Sequence, residues 1–80
     1  MLGSRDTRDD VMLHLLRHRE GGLTLDELAA RVGVSRNAVR QHITALERDG
    51  QVRPVALRRT GRRPSRAYGL TAEGGERFPR

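Results

Sequence analysis

The chain contains no cysteine, no tryptophan and no lysine, and its only aromatic residues are Tyr68 and Phe78. Without cysteine there is no disulfide framework and no thiolate-held zinc or iron–sulfur site within these residues. Near-absence of aromatics, with 35% apolar residues of which seven are alanine, leaves a thin core built on leucine and valine. A chain of 80 residues has room for one domain, and a domain of that size buries only about 60% of the surface its unfolded form exposes. Residues 1–80 are therefore read as a single domain, with 1–6 a loose amino-terminal end. No apolar run approaches the roughly 18 residues of a membrane span, and the amino terminus lacks the apolar segment of a signal peptide. The expectation is a soluble cytoplasmic chain with no membrane partner.

Missing lysine makes all 16 basic residues arginine, against 10 acids, for a net charge of +6. The excess is local. Residues 36–66 hold nine arginines and only two acids, Glu47 and Asp49, a local +7, while the remaining residues come to −1. A polyanion is the partner such a segment fits. Arginine presents a planar fork to phosphate or guanine, although exclusive use of arginine can equally reflect genome composition.

Hydrophobic spacing predicts a helix from Arg8 to Arg19, capped by Thr7, with Asp9 and Asp10 in its first turn and Val11, Met12, Leu15 and Leu16 facing inward. Gly21-Gly22 ends it, and Leu23 forms a very short strand. Thr24-Leu25-Asp26-Glu27 is a capping-box pattern opening a helix over 25–32 that buries Leu25, Leu28, Ala29 and Val32. Gly33-Val34-Ser35 interrupts it: Gly33 suits a left-handed exit, and Ser35 caps a third helix from Arg36 to about Asp49. There Val39, Ile43 and Leu46 point inward and Gly50 closes the helix. The period then shortens. Val52, Val55 and Leu57 read as a strand, Tyr68 and Leu70 as its return, and the five-arginine segment Arg58 to Arg66 as a hairpin tip. Thr71 caps a last short helix ending near Phe78-Pro79.

Two helices three residues apart, with small Ala29 and Gly33 where they cross, form a helix-turn-helix. The polar face left on the third helix is Arg36, Asn37, Arg40, Gln41 and Thr44. Arginine pairs with guanine in the major groove, and asparagine or glutamine with adenine. Their place near the helix amino terminus is where recognition helices meet base edges. In the hairpin, Gly61 allows a tight reversal and Pro64 removes an amide donor from an exposed edge. Arg58, Arg59, Arg62, Arg63 and Arg66 would repel one another unless solvated or matched by phosphates, and the tip can sense minor-groove width through Arg62 or Arg63.

The segment Thr24 to Ser35, followed by Val39-Arg40-Gln41-His42-Ile43 and Leu46-Glu47, resembles the bacterial winged helix-turn-helix regulators labelled DeoR- or ArsR-like. Gly61-Arg62-Arg63-Pro64-Ser65-Arg66-Ala67-Tyr68-Gly69-Leu70-Thr71, with Gly74 to Phe78-Pro79, is similar to the wing and following helix of iron–sulfur assembly (Suf operon) repressor-like proteins. This resemblance covers residues 8–79. It implies a mainly α fold with a small antiparallel hairpin, a three-helix core plus wing, and a short carboxy-terminal helix. It also implies a homodimer that binds double-stranded operator DNA sequence-specifically as a repressor. Those longer regulators carry their cluster-binding cysteines in a second domain, so sensing is not carried over. The expectation is an isolated DNA-binding fragment or a small standalone relative.

Blander roles stand beside these. Ser35 is first a helix cap, with phosphate contact compatible. Arg31 and Arg48 read as solvated surface, Tyr68 as packing under the wing, and Leu13 as incidental or a dimer contact. His14 and His18 stand at metal-chelating spacing, but no cysteine or carboxylate–histidine motif accompanies them, and they are not read as a metal site. His42 reads as half-buried or phosphate-facing. No nucleophile–base pair, Gly-rich phosphate loop or carboxylate pair suggests an enzyme, a cofactor or a small-molecule ligand. The alternative function is a winged-helix module for protein or RNA, which would expose leucine or aromatic residues on the third helix where this chain has arginine, asparagine and glutamine.

Overall fold

The computed structural model describes the backbone of residues 4–60 and 63–77. Helix α1 spans Ser4–Arg17. It begins four residues before the expected Arg8, so Thr7 lies inside the helix instead of capping it, and Ser4 to Asp6 belong to the helix and not to a loose end. Nothing in the sequence from Ser4 to Arg8 breaks a helix, and with this start Asp9 and Asp10 stand in the second turn instead of at the positive end of the dipole. It also stops earlier than Arg19. The His18 amide donates to both the His14 and Leu15 carbonyls, which tightens the last turn before Gly22. Val11, Met12 and Leu15 are buried, whereas Leu16, expected in the core stripe, is half-buried like Leu13.

Strand β1 is Leu23–Thr24 and runs directly into helix α2, Leu25–Val32. The capping box forms as the sequence predicts: the Glu27 amide donates to Thr24 Oγ1 at 3.1 Å, and the Thr24 amide donates to Glu27 Oε1 at 3.0 Å. Gly33 takes φ 86°, and its amide and that of Val34 both donate to the Ala29 carbonyl. Helix α3 follows over Arg36–Arg48, with Ser35 accepting from the Ala38 amide. Asp49 and Gly50 close it.

Strands β2, Val52–Thr60, and β3, Arg63–Leu70, make a long antiparallel hairpin. With β1 they form one sheet in the order β1-β3-β2. The strands extend well beyond the expected return, so Arg58, Arg59 and Arg63 to Arg66 are strand residues, not a loop tip; Gly61 and Arg62 lie outside the described residues. The pairing register shifts between Pro54 and Ala56, placing a bulge at Val55. This bulge accounts for the three-residue spacing from Val52 to Val55, which period-two alternation does not allow. Val52 is 1% exposed, but Val55 is 39% and Leu57 68% exposed, so the latter two are not core residues. The Val55 methyls instead cover the bare backbone of Gly22 and Gly69.

Helix α4 spans Ala72–Arg77. Thr71 caps it by accepting from the Gly74 amide and fastens it to the end of α3 by donating to the Gly50 carbonyl at 2.7 Å. Gly74 rests directly on the Gln51 carbonyl, where a Cβ has no room. Phe78 and Pro79, the expected end of this helix, lie outside the described residues.

The core lies where α1, α2, α3 and the sheet meet. Val11, Met12, Leu15, Leu23, Leu28, Val39, Ile43, Leu46 and Val52 are buried together, with Leu25, Ala29, Val32, Val34, Tyr68 and Leu70 packed around them. Two glycines with similar left-handed backbones test how much of their role is conformational. Gly22 (φ 72°) has the Tyr68 carbonyl 2.5 Å and a Val55 methyl 2.8 Å from where a Cβ would stand, whereas Gly33 has nothing within 4 Å. Gly33→Ala should cost about 1–2 kcal/mol for the backbone alone, and Gly22→Ala a further 1–3 kcal/mol for overpacking. Urea unfolding checks both; equal costs would show that the close approach at Gly22 relaxes freely.

Candidate nucleic-acid interface

Helix α3 has two opposed sides. Val39, Ile43 and Leu46 are no more than 2% exposed, while Arg36, Asn37, Arg40, Gln41 and Thr44, at the complementary helical spacing, are all exposed. Burial of the first set fixes the rotation of the helix and so presents the second set. The predicted polar face is therefore brought together on one surface, with Ser35 exposed at its amino-terminal cap.

Between this face and the hairpin runs a groove of about 410 Å³. Thr24, Leu25, Asp26 and Tyr68 line it together with Arg36 and Arg40 from α3 and Arg63, Pro64, Ser65 and Arg66 from β3. Four guanidinium groups thus flank one open channel. Arg59 is exposed on β2, and Arg62 lies outside the described residues.

Arg58 has a different setting from the other hairpin arginines. Its Nη1 contacts both carboxylate oxygens of Glu27, at 2.9 and 2.8 Å, and its Nη2 donates to the carbonyls of Gly21 and Gly22, each at 3.0 Å. Both of its terminal amino groups are engaged within the protein. The side chain lies in a second groove, with Arg17, His18, Arg19, Glu20 and Arg31, apart from the channel beside α3. The expectation of Arg58 as a phosphate-facing wing residue is corrected accordingly: it fastens the hairpin to the turn before α2.

Arg36 is also paired. Its Nε lies 2.9 Å from Asp26 Oδ1, although both side chains are more than half exposed. Sequence reasoning placed Asp26 and Glu27 in a helix cap and missed both contacts: Glu27 and Arg58 stand 31 residues apart, and Asp26 meets Arg36 only once α2 and α3 have crossed. The available signal was two adjacent acids just before a strongly basic segment. Asp49, counted inside that segment, faces Arg8 of α1 at 3.8 Å.

Two titrating groups report on this framework. The Thr24 amide holds the Glu27 carboxyl below its ordinary value of 4.5, burial opposes this, and the Arg58 charge adds to the lowering. Burial, and then the charges of Arg17 and Arg31, hold the His14 imidazole below its ordinary value of 6.5, with Asp10 opposing. His14 Nδ1 is buried with no hydrogen-bond partner among the described residues. Among the described residues no group of three or more histidine, cysteine or acidic side chains could hold a metal ion, and no helix there is long and apolar enough to cross a membrane.

Three core helices, a three-residue turn between α2 and α3, and a hairpin beside the second of these define a winged helix-turn-helix. Residues 8–63 match the family model described as an HTH domain (HTH_11), and the chain belongs to that family. Comparison with curated proteins gave no match. Among solved structures, a variant of MepR from a multidrug-resistant Staphylococcus aureus isolate superposes with a TM-score of 0.77 at 21% identity, over 90% of this chain and 50% of that one. Another MepR variant, bound to an oligodeoxyribonucleotide, gives 0.74 at 21% identity over 88% and 49%. The PcaV transcriptional regulator of Streptomyces coelicolor gives 0.72 at 27% identity over 94% and 49%. The chain spans about half the length of these proteins.

Both titrating groups have lowered values in the folded state, so the stability each contributes is complete above its ordinary value and is lost as pH falls through the lower folded value. Acidification from pH 7 should therefore weaken the fold in two stages, one beginning below 6.5 through His14 and one below 4.5 through Glu27. Urea unfolding across this range checks it. His14→Gln should remove the upper stage and Glu27→Gln the lower; an unchanged profile in either variant would reassign that stage.

Proposed function

We propose that this domain binds double-stranded DNA sequence-specifically as a transcriptional regulator, of the repressor type. Helix α3 enters the major groove, and the arginine-bearing hairpin follows the backbone and minor groove. The observation that carries this is the combination of an exposed Arg36, Asn37, Arg40, Gln41 and Thr44 face with a channel whose far wall holds Arg63 and Arg66. Hydrogen-bonding side chains without apolar anchors suit base edges, and flanking guanidinium groups suit phosphates. The DNA-bound MepR variant shares this fold. The finer likeness to Suf operon repressor-like regulators belongs to the same proposal and rests on the Gly61 to Thr71 wing sequence.

The division of labour follows from contact type. Ser35, Arg36, Asn37, Arg40, Gln41 and Thr44 read or flank the bases, while Arg59, Arg62, Arg63 and Arg66 set register and affinity. With Arg58 spent internally, about five phosphates are neutralised, and log K should fall with log salt at a slope of about −4 to −5.

Selection of bound duplexes from a random pool tests the reading, because it returns specificity, half-site symmetry and spacing together. A defined motif is expected. On the selected duplex, Arg40→Ala should cost about 1–3 kcal/mol and relax one base position, while Arg63→Ala should weaken all duplexes evenly. If both variants bind like the parent at moderate salt, the interface is elsewhere.

A single module of this size makes few base contacts, so we propose that it acts as a homodimer on half-sites about one helical turn apart. The surfaces available are α1 and the segment from Leu70 onward. Sedimentation at micromolar concentration should show two copies per selected duplex; one copy per duplex at saturation would remove the dimer.

A further inference from the structure

The channel between α3 and the hairpin is lined by four arginines and one carboxylate, Asp26. That carboxylate is not needed for the capping box, which uses Thr24 and Glu27. It stands in the first turn of α2, across the turn from the first residue of α3, and its Oδ1 lies 2.9 Å from Arg36 Nε. Asp26 is 73% and Arg36 59% exposed, so the pair stands at the rim of the channel, where solvent weakens it and another anion can compete for the guanidinium.

We infer that Asp26 is a specificity-determining residue: it occupies Arg36 in place of a DNA phosphate, lowering affinity for arbitrary duplexes more than for the selected one. This rests on the DNA-binding reading above and concerns the same surface. Contact through Nε leaves the guanidinium anchored on one side, with its terminal amino groups still able to reach a base edge. An arginine paired in this way releases no condensed counterion when it approaches the duplex, so it adds little to the sequence-independent part of binding. A correct site supplies base contacts that keep the helix seated. A wrong one offers only phosphates, and there Asp26 has withdrawn one of the four cations and left three.

The test is Asp26→Asn, measured on a random-sequence duplex and on the duplex returned by pool selection, over a series of salt concentrations. The variant should bind the random duplex tighter by on the order of fivefold near 0.1 M salt, with the log–log salt slope steeper by about 1, as one added phosphate contact requires. The ratio of selected to random affinity should fall. In an Arg36→Ala background the same substitution should lose this gain, which isolates the pair from the plain change in net charge. Unchanged random-duplex affinity and slope would overturn the inference. So would weaker binding, which would make Asp26 a support for Arg36, and so would an equal gain without Arg36. Asp26→Ser, also compatible with a first helical turn, provides the same comparison should the asparagine variant fold poorly. A parent protein that binds no duplex would instead overturn the DNA-binding reading itself.

Discussion

One carboxylate, Glu27, fastens the middle of the hairpin to the helix-turn-helix. Its Oε1 accepts from the Thr24 amide and completes the cap of α2, and both its oxygens contact Arg58 Nη1. The other end of the same guanidinium binds the Gly21 and Gly22 carbonyls. A single ion pair thus joins the turn after α1, the first turn of α2 and the middle of β2. Nonpolar burial sets the arrangement of the three helices and holds the base of β3 through Ala67, Tyr68 and Leu70, but β2 beyond Val52 has little apolar anchorage, since Val55 and Leu57 are largely outside the core. Short two-stranded ribbons are marginal in water without such anchorage. A charge-assisted, multiply bonded guanidinium is the kind of contact that can hold one in place.

Seating the hairpin also requires bare backbone. Gly22 and Gly69 leave the space into which the Val55 methyls fit, and the bulge at Val55 is what turns that side chain toward them. Pro54 just before the bulge lacks an amide, and it sits on β2, an outer strand of the sheet, where a missing donor is tolerated. Beyond β1, which pairs only with Ala67 and Tyr68, β3 has β2 alone as a neighbour. Pro64 falls in that stretch, so neither proline interrupts a ladder on both sides.

The helical half of this fold was legible in the sequence because its signals are local. Thr24 with Glu27, Ala29 with Gly33, and Ser35 with Ala38 lie within four residues of each other, and Val39, Ile43 and Leu46 repeat at helical spacing. The start of α1 was misread because Thr7 has capping chemistry, yet nothing before it stops a helix from beginning at Ser4. The hairpin was legible in kind but not in length: arginine and proline between two short apolar runs read as a loop, although β2 and β3 carry them in register from Arg58 to Arg66. What no local pattern contained was the pairing of Glu27 with Arg58, which exists only after α2 and the hairpin have met, and of Asp26 with Arg36, which exists only after α2 and α3 have crossed.

Those pairings change the electrostatic argument itself. Counted along the chain, residues 36–66 form a block of +7. In space, among the described residues, Arg36 and Arg58 face acids from α2, and Asp49 faces Arg8 of α1. The field that a duplex would meet is therefore set less by the total than by which arginines remain unspent and where they stand. Among the described residues, Arg40 on α3 and Arg63 and Arg66 on β3 share one channel without an ion-pair partner. Because α3 is fixed by its buried side and the hairpin by Arg58, the backbone positions that carry those three cations are set before any ligand arrives. Such preorganisation lowers the ordering cost of binding. A flexible arginine-rich tail of equal charge would attract a polyanion as strongly from a distance, but it would carry no information about the orientation of α3 in the groove. The fold turns unspecific attraction into a placed contact, and it does so through an arginine that never needs to touch the ligand.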